Sequence, residues 1–151
     1  MLRERISTEM KAAMKAKQSL RLTTLRLVSA AIKDKDIAAR AGDNNEGVSE
    51  TEILAILSKM IKQRQDSATA YEEAGRLELA EQERAEIEII EEFLPRKLDA
   101  DEITKAIDDA MAKVGASSIR DMGKVMAELK SSHAGQMDFG KVGGTIKQRL
   151  G

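Results

Sequence analysis

FLPRKLDADE, residues 93–102, decides how the chain is read. Pro95 is the one proline in the sequence, and its ring disfavours a helical conformation at Leu94, the residue before it. A helix arriving from the N-terminal side therefore stops here. Just beyond, Asp99 and Glu102 have the spacing of a capping box. In that motif the first side chain accepts from the backbone N–H of the third helical residue, and the acid reaches back to the N–H of the cap. One helix ends and another begins within a few residues. The spacing predicts a boundary between an N-terminal unit, 1–95, and a C-terminal unit, 96–151.

Upstream of that boundary, apolar residues recur at helical spacing and runs of period two are absent. Leu2, Ile6, Met10 and Met14 line one face of a first helix. Leu25, Val28 and Ile32 line a second, from about Ser19 to Ala41. The polar, turn-forming segment AGDNNEG, residues 41–47, reads as a loop. Ser49 and Glu52 form another capping box, and a third helix follows with Ile53, Leu57, Met60, Ile61, Ala68 and Tyr71 inward. Gly75 ends it by taking the left-handed conformation. A fourth runs through Leu79, Ile87 and Ile90.

Downstream, Ile103, Ile107, Ala110 and Val114 make a fifth helix closed by Gly115. Ser118 caps a sixth, with Ile119, Met122, Met126 and Leu129 inward. Asp138 caps a seventh, with Phe139, Val142, Ile146 and Leu150 inward. The expected fold is all-α: four longer helices, then three short ones. The second unit is small enough for its independent stability to be marginal.

The 151 residues are 42% apolar and 34% charged, which suits a folded chain with a sizeable core. No apolar run approaches the roughly 20 residues of a membrane span. The opening MLRERISTEM is charged from its third residue and lacks the apolar core of a signal peptide. Without cysteine there are no disulfides, thiolate metal sites or thiol nucleophiles. A soluble cytoplasmic protein with no membrane partner is the expectation. The net charge of −1 is uneven: residues 1–40 carry ten Lys/Arg against four Asp/Glu, and residues 41–95 carry five against fourteen. Beyond residue 110 the count is seven against three. Such asymmetry fits either a polyanion partner or basic helices packed beside an acidic one.

Catalytic chemistry finds little to work with. The only imidazole, His133, lies in the polar turn SSHAGQ, and the adjacent Ser131 and Ser132 are not expected to aim at a common point with it. One histidine cannot make a zinc site. Glu86, Glu88, Glu91 and Glu92 read as a solvated acidic face, since acid–base work by paired carboxylates would need burial. Phosphate-binding GxxxxGK[ST] and GxGxxG loops are absent. The expectation is no catalytic residue, no metal and no cofactor.

Glycines 123, 143 and 144 fall inside helical patterns, where each costs on the order of 1 kcal/mol relative to alanine. Close helix crossing explains them, and so does close approach of a phosphate backbone. Arg120 and Lys124 are four apart, and Lys141 and Arg149 are eight apart, so each pair nearly aligns on a face away from the core positions. That arrangement fits phosphate contacts, although any solvated helix shows basic residues opposite its core. With only Tyr71, Phe93 and Phe139 available, stacking on single strands is disfavoured. A duplex-rich RNA recognised by shape is the better target.

Several stretches, taken together, resemble the YqeY-type proteins of the GatB/YqeY family. They are TLRLVSAAIK (24–33), KQRQDS (62–67), AGRLELAEQERAEI (74–87), FLP (93–95) and DMGKVM (121–126), in family order over nearly the whole chain. The resemblance implies an all-α fold with a larger helical domain and a small three-helix domain like the GatB tail. GatB belongs to the tRNA-dependent amidotransferase, which converts mischarged Glu-tRNA or Asp-tRNA to the amide with glutamine as nitrogen donor. Its tail contacts the body of the tRNA and does no chemistry. By that similarity tRNA is the implied partner, with amidotransferase or aminoacyl-tRNA synthetase components as further ones. Gly123 and Lys124 fall in the part of the tail motif that faces RNA, and the candidate interface is Arg120, Gly123, Lys124, Lys141 and Arg149. The family name carries a carbon–nitrogen ligase activity with glutamine as amido donor, inherited from the larger enzyme, but no catalytic residue comes with it. A helical protein–protein adaptor is the alternative.

Overall fold

The computed structural model describes residues 1–42 and 47–151; residues 43–46, the centre of the segment expected as a loop, lie outside them. Among the described residues there are seven α-helices, one 3₁₀ turn and no strand, so the chain is all-α. It falls into two compact units, Met1–Leu94 and Pro95–Gly151.

The first unit holds α1 (Leu2–Lys15), α2 (Ser19–Ala41), α3 (Glu50–Glu73) and α4 (Leu77–Glu91). Its core is built from Ile6, Leu25, Val28, Ile32, Ile53, Leu57, Ile61, Ile87, Ile90 and Phe93. Thr24 is fully buried and donates its hydroxyl to Leu20 O at 2.8 Å, which satisfies the one polar atom that this face of α2 brings inside. Met14 is not part of the core: it is 53% exposed, and Ala13 is buried in its place. Seven helical steps from Ile6 return to within about 20° of its direction, whereas eight overshoot by about 80°.

Three helix ends share one hydrogen-bond pattern. At α3, Arg76 N donates to Tyr71 O and Gly75 N to Glu72 O, with Gly75 at φ 74°. At α5 (Ala100–Val114), Ala116 N donates to Met111 O and Gly115 N to Ala112 O, with Gly115 at φ 67°. At α1, Gln18 N donates to Ala13 O and Lys17 N to Met14 O, and here the left-handed residue is Lys17, at φ 56°. This is the Schellman terminator, normally filled by glycine because a side chain there crowds the backbone.

Arginines clip the first unit together. Arg3 grips Asp36 with two bonds of 2.8 and 2.6 Å and also donates to Val48 O. Asp36 accepts from Val48 N as well, and these donors, the guanidinium foremost, hold its carboxyl at about 2. Arg21 bridges Glu9 and Glu92, and Arg5 lies 4.8 Å above the Phe93 ring while donating to Glu92 O. α1, α2 and the segment after α4 are thereby tied together by planar, multidentate cations.

The second unit holds α5, the 3₁₀ turn Ile119–Asp121, α6 (Met122–Ser132) and α7 (Phe139–Leu150). Its core is Ala106, Ile107, Ala110, Val125, Leu129, Met137, Val142 and Ile146. Ser49–Glu52 and Asp99–Glu102 both form complete capping boxes, and Asp138 accepts from Gly140 N and Lys141 N. Ile119 departs from expectation: it is 45% exposed, and Val125 is fully buried instead. The segment after Ser118 starts as a 3₁₀ turn, whose tighter winding rotates Ile119 off the face that α6 later presents.

Candidate nucleic-acid interface

The interface residues expected from the sequence lie on three elements of the second unit. Arg120 is exposed in the 3₁₀ turn, so it does not share one helix with Lys124. Gly123 and Lys124 are exposed in the first turn of α6, and Lys141 is exposed in the first turn of α7. Arg149, in the last turn of α7, is held by the Asp108 carboxylate of α5. Its near-alignment with Lys141 on a helical wheel is therefore secondary to its role in joining α7 to α5.

Gly123, Gly143 and Gly144 separate into two kinds. A Cβ on Gly143 would meet Met122 Cε at 3.5 Å and Met126 Cε at 3.7 Å, so this glycine marks where α7 packs on α6. Among the described residues, a Cβ on Gly123 or Gly144 would meet nothing within 4 Å. Close helix crossing accounts for Gly143 alone.

That contact also orients the two helices. Gly143 lies against Met122 and Met126, and Gly151 lies near Ile119, so α7 runs back along α6. Going around α6 from Met126 toward solvent, the next positions are Lys130, Gly123 and Ala127. Going around α7 from Gly143, they are Lys147, Gly140 and Gly144. The rim of the α6–α7 contact is thus small residues with one lysine on each side. Lys124 and Lys141 sit farther out. Lys130 and Lys147 belong to this surface but stand outside the set expected from the sequence. Only the Gly143–methionine contact, between residues of different helices, reveals which flank they occupy.

Charge is distributed unequally over the unit. Lys113 pairs with Glu128 at 2.9 Å, Arg96 with Glu102 at 2.6 Å, and Arg149 with Asp108. Among the described residues, Arg120, Lys124, Lys130, Lys141 and Lys147 enter no salt bridge. Asp121 lies close enough to Lys124 to feel its charge. The N–H groups of Ser117 and Ser118 hold its carboxyl below the usual range, and the charge of Lys124 adds to the effect.

The residues considered for chemistry are placed as follows. Ser132 Oγ lies 2.8 Å from His133 Nδ1, a contact not expected of neighbours in sequence, and it also bonds to Glu128 O at 2.8 Å. A hydroxyl has one proton. Given to the carbonyl, which can only accept, it leaves Oγ to accept from Nδ1–H. The imidazole then acts as a donor to the serine and does not activate it as a nucleophile. In α4, Glu88, Glu91 and Glu92 are exposed as expected, but Glu86 is 7% exposed. It pairs with Arg64 Nε at 3.2 Å, and Arg64 also donates to Met60 O. Burial, and then the Glu86 charge, raise the neighbouring Glu83 carboxyl. A cleft of about 240 Å³ between α1 and α2 is lined by Arg3, Ser7, Ser29 and Lys33 over Ile6, Met10 and Ile32. Among the described residues, no group of three or more His, Asp or Glu side chains is placed to hold a metal ion.

Comparison with known proteins gives one family and a set of curated relatives. The YqeY-like protein family matches residues 3–150. The relatives are named altered inheritance of mitochondria protein 41, mitochondrial. The one from Vanderwaltozyma polyspora is 31% identical over 124 residues, covering 78% of this chain and 64% of the relative. The Lachancea thermotolerans protein is 38% identical over 89 residues, 59% of this chain and 46% of the relative. The protein of Saccharomyces cerevisiae strain YJM789 is 29% identical over 127 residues, 80% of this chain and 66% of the relative. The chain spans about half to two thirds of the length of these relatives. The cytoplasmic expectation is corrected by them, since their name places them in the mitochondrion. It rested on composition and on the charged opening residues, and neither separates one aqueous compartment from another.

Proposed function

This chain belongs to the YqeY-like protein family, and we propose that it is a stand-alone tRNA-binding protein related to the tail of the GatB amidotransferase subunit, with no chemistry of its own. The observation that carries this reading is the pair of open glycines. Gly123 and Gly144 sit in helices, where alanine would be more stable, and among the described residues no neighbour occupies the space that a side chain would fill. A bare helix surface beside unpaired lysines lets a phosphate backbone approach closely. The cations left unpaired supply the attraction, and a duplex-rich tRNA body suits a surface with few aromatic side chains. In this reading Arg149 contributes through the fold, and Lys130 and Lys147 join Arg120, Lys124 and Lys141 as phosphate contacts.

The test is a mobility-shift or filter assay with total tRNA over a salt series. A phosphate-driven complex weakens steeply as salt rises, and Lys124→Glu and Lys141→Glu weaken it further. Binding indifferent to both substitutions removes this surface from the account. Glutaminase assays of the protein, alone and with tRNA, are expected to show no turnover; turnover would assign it the ligase chemistry of the larger enzyme.

A further inference from the structure

The second helix has two apolar faces, and the fold uses one. Leu25, Val28 and Ile32 point into the core of the first unit. On the opposite side Leu20, Leu27 and Ile37 are 38%, 45% and 54% exposed. These three lie on a regular pattern. Leu20, Leu27, Asp34 and Ala41 are seven apart, and Thr23, Ala30 and Ile37 form a second set of seven-residue steps between them. Alternating steps of three and four make the narrow stripe by which one helix packs along another in a coiled coil. Arg26, Lys33 and Arg40, also seven apart, line one edge of the stripe, and Ala31 and Ala38 lie along the other. Asp34 and the three basic residues form no salt bridge among the described residues.

We propose that this outward face of α2 is a docking seam for one amphipathic helix of another protein, whose acidic residues run along the edge that meets Arg26, Lys33 and Arg40. Asp34 interrupts the apolar stripe and sets the register, because the layer it occupies accepts a lysine or arginine and rejects a leucine or an acid. Charge argues against a second copy of this chain. Two α2 helices packed antiparallel bring their basic edges together, and packed parallel they set Asp34 against Asp34; each arrangement is repulsive. A lipid surface also fits poorly, since Asp34 and Thr23 lie in the middle of the stripe and a membrane-bound helix keeps its apolar face free of charge. The seam belongs to a different unit from the RNA surface and does not rest on it.

The probe is a synthetic helix with leucine at the seam positions, glutamate along the edge facing the basic rim, and one lysine level with Asp34. Its twin carries lysine along that edge. Fluorescence anisotropy with the full chain should show the acidic helix bound at least about tenfold more tightly than the twin. Leu27→Glu should weaken binding by a similar factor, and the joint reversal Arg26→Glu with Lys33→Glu should turn the preference toward the lysine twin. All these positions are exposed, and circular dichroism of the variants verifies the fold. The proposal is overturned by no binding, by equal binding of the two peptides, or by self-association that Leu27→Glu abolishes. Binding of anionic vesicles or tRNA that depends on Leu27 likewise overturns it.

Discussion

The two units treat their cations differently. In Met1–Leu94 three arginines are structural: Arg3, Arg21 and Arg64 each reach a carboxylate on another helix or segment, and each also holds a backbone carbonyl or a second carboxylate. In Pro95–Gly151 the lysines of α6 and α7 are exposed and, among the described residues, have no acid to hold them, while Arg149 and Lys113 fasten the helices. A cation engaged by the fold contributes to stability and has little charge left for a ligand. An unpaired one adds little to stability and keeps its charge available. The contrast therefore separates cations that hold the fold from cations whose charge stays free for a ligand.

Core size should give the largest difference. Leu57 and Leu129 are both fully buried, and Leu→Ala at such sites costs about 2–5 kcal/mol. In the smaller unit that is comparable to the stability a core of this size supplies. Leu129→Ala is expected to abolish amide-exchange protection in α5–α7, whereas Leu57→Ala lowers but does not abolish protection in α3 and α4. Equal effects would erase the distinction between the cores.

Ion pairs come next. Glu86→Gln leaves Arg64 facing a neutral amide in a site where the two side chains are 13% and 9% exposed, and should cost on the order of 2–3 kcal/mol in chemical denaturation. The Glu83 carboxyl, raised by burial and then by the Glu86 charge, is also attracted by Arg64 and can take over part of the pairing, so joint replacement of both glutamates should cost more. Asp108→Asn, at the exposed Arg149 pair, should cost less than about 1 kcal/mol.

Acid sensitivity is shared by the two units. Arg3 and then Val48 N–H hold Asp36 at about 2, against 3.8 for the free side chain. Arg96 and then Asp99 N–H hold Glu102 at about 2, against 4.5. For a depressed carboxyl the stabilisation is present above the unfolded value and is lost as pH falls through the folded one. Stability should decline between about pH 4.5 and 2, and Asp36→Asn should flatten the part of that decline below pH 4 in a pH series of unfolding midpoints.

Backbone changes are the smallest. Lys17→Gly relieves the left-handed lysine at φ 56° and should stabilise by about 1 kcal/mol. Gly144→Ala meets no neighbour and should stabilise by roughly 0.5–1 kcal/mol. The comparison sharpens if Gly144→Ala gains stability and loses tRNA affinity together, as expected of a residue retained for its surface.

Much of the first level of structure was legible. Ser49 with Glu52, Asp99 with Glu102, Gly75 and Gly115 mark helix ends through local chemistry, and local chemistry is written in adjacent residues. Lys17 gave no such mark, because a lysine in the left-handed position is tolerated, not preferred. The exposure of Ile119 turned on a change from 3₁₀ to α winding that spacing does not encode. At the candidate interface, the residue types and exposure of Lys124 and Lys141 followed from their helices. The capture of Arg149 by Asp108, 41 residues away, and the burial of Glu86 against Arg64, 22 residues away, depend on how separate helices pack, to which a single helical wheel is blind.

The salt dependence of tRNA binding, measured for the intact chain beside two double variants, tests the contrast most directly. Each phosphate contact removed should lower the slope of log affinity against log salt by about one. Lys124→Ala with Lys141→Ala should therefore lower it by about two, and Lys59→Ala with Lys62→Ala on α3 should leave it unchanged. Equal slopes for all three proteins, or no tRNA bound at low salt, would contradict the account.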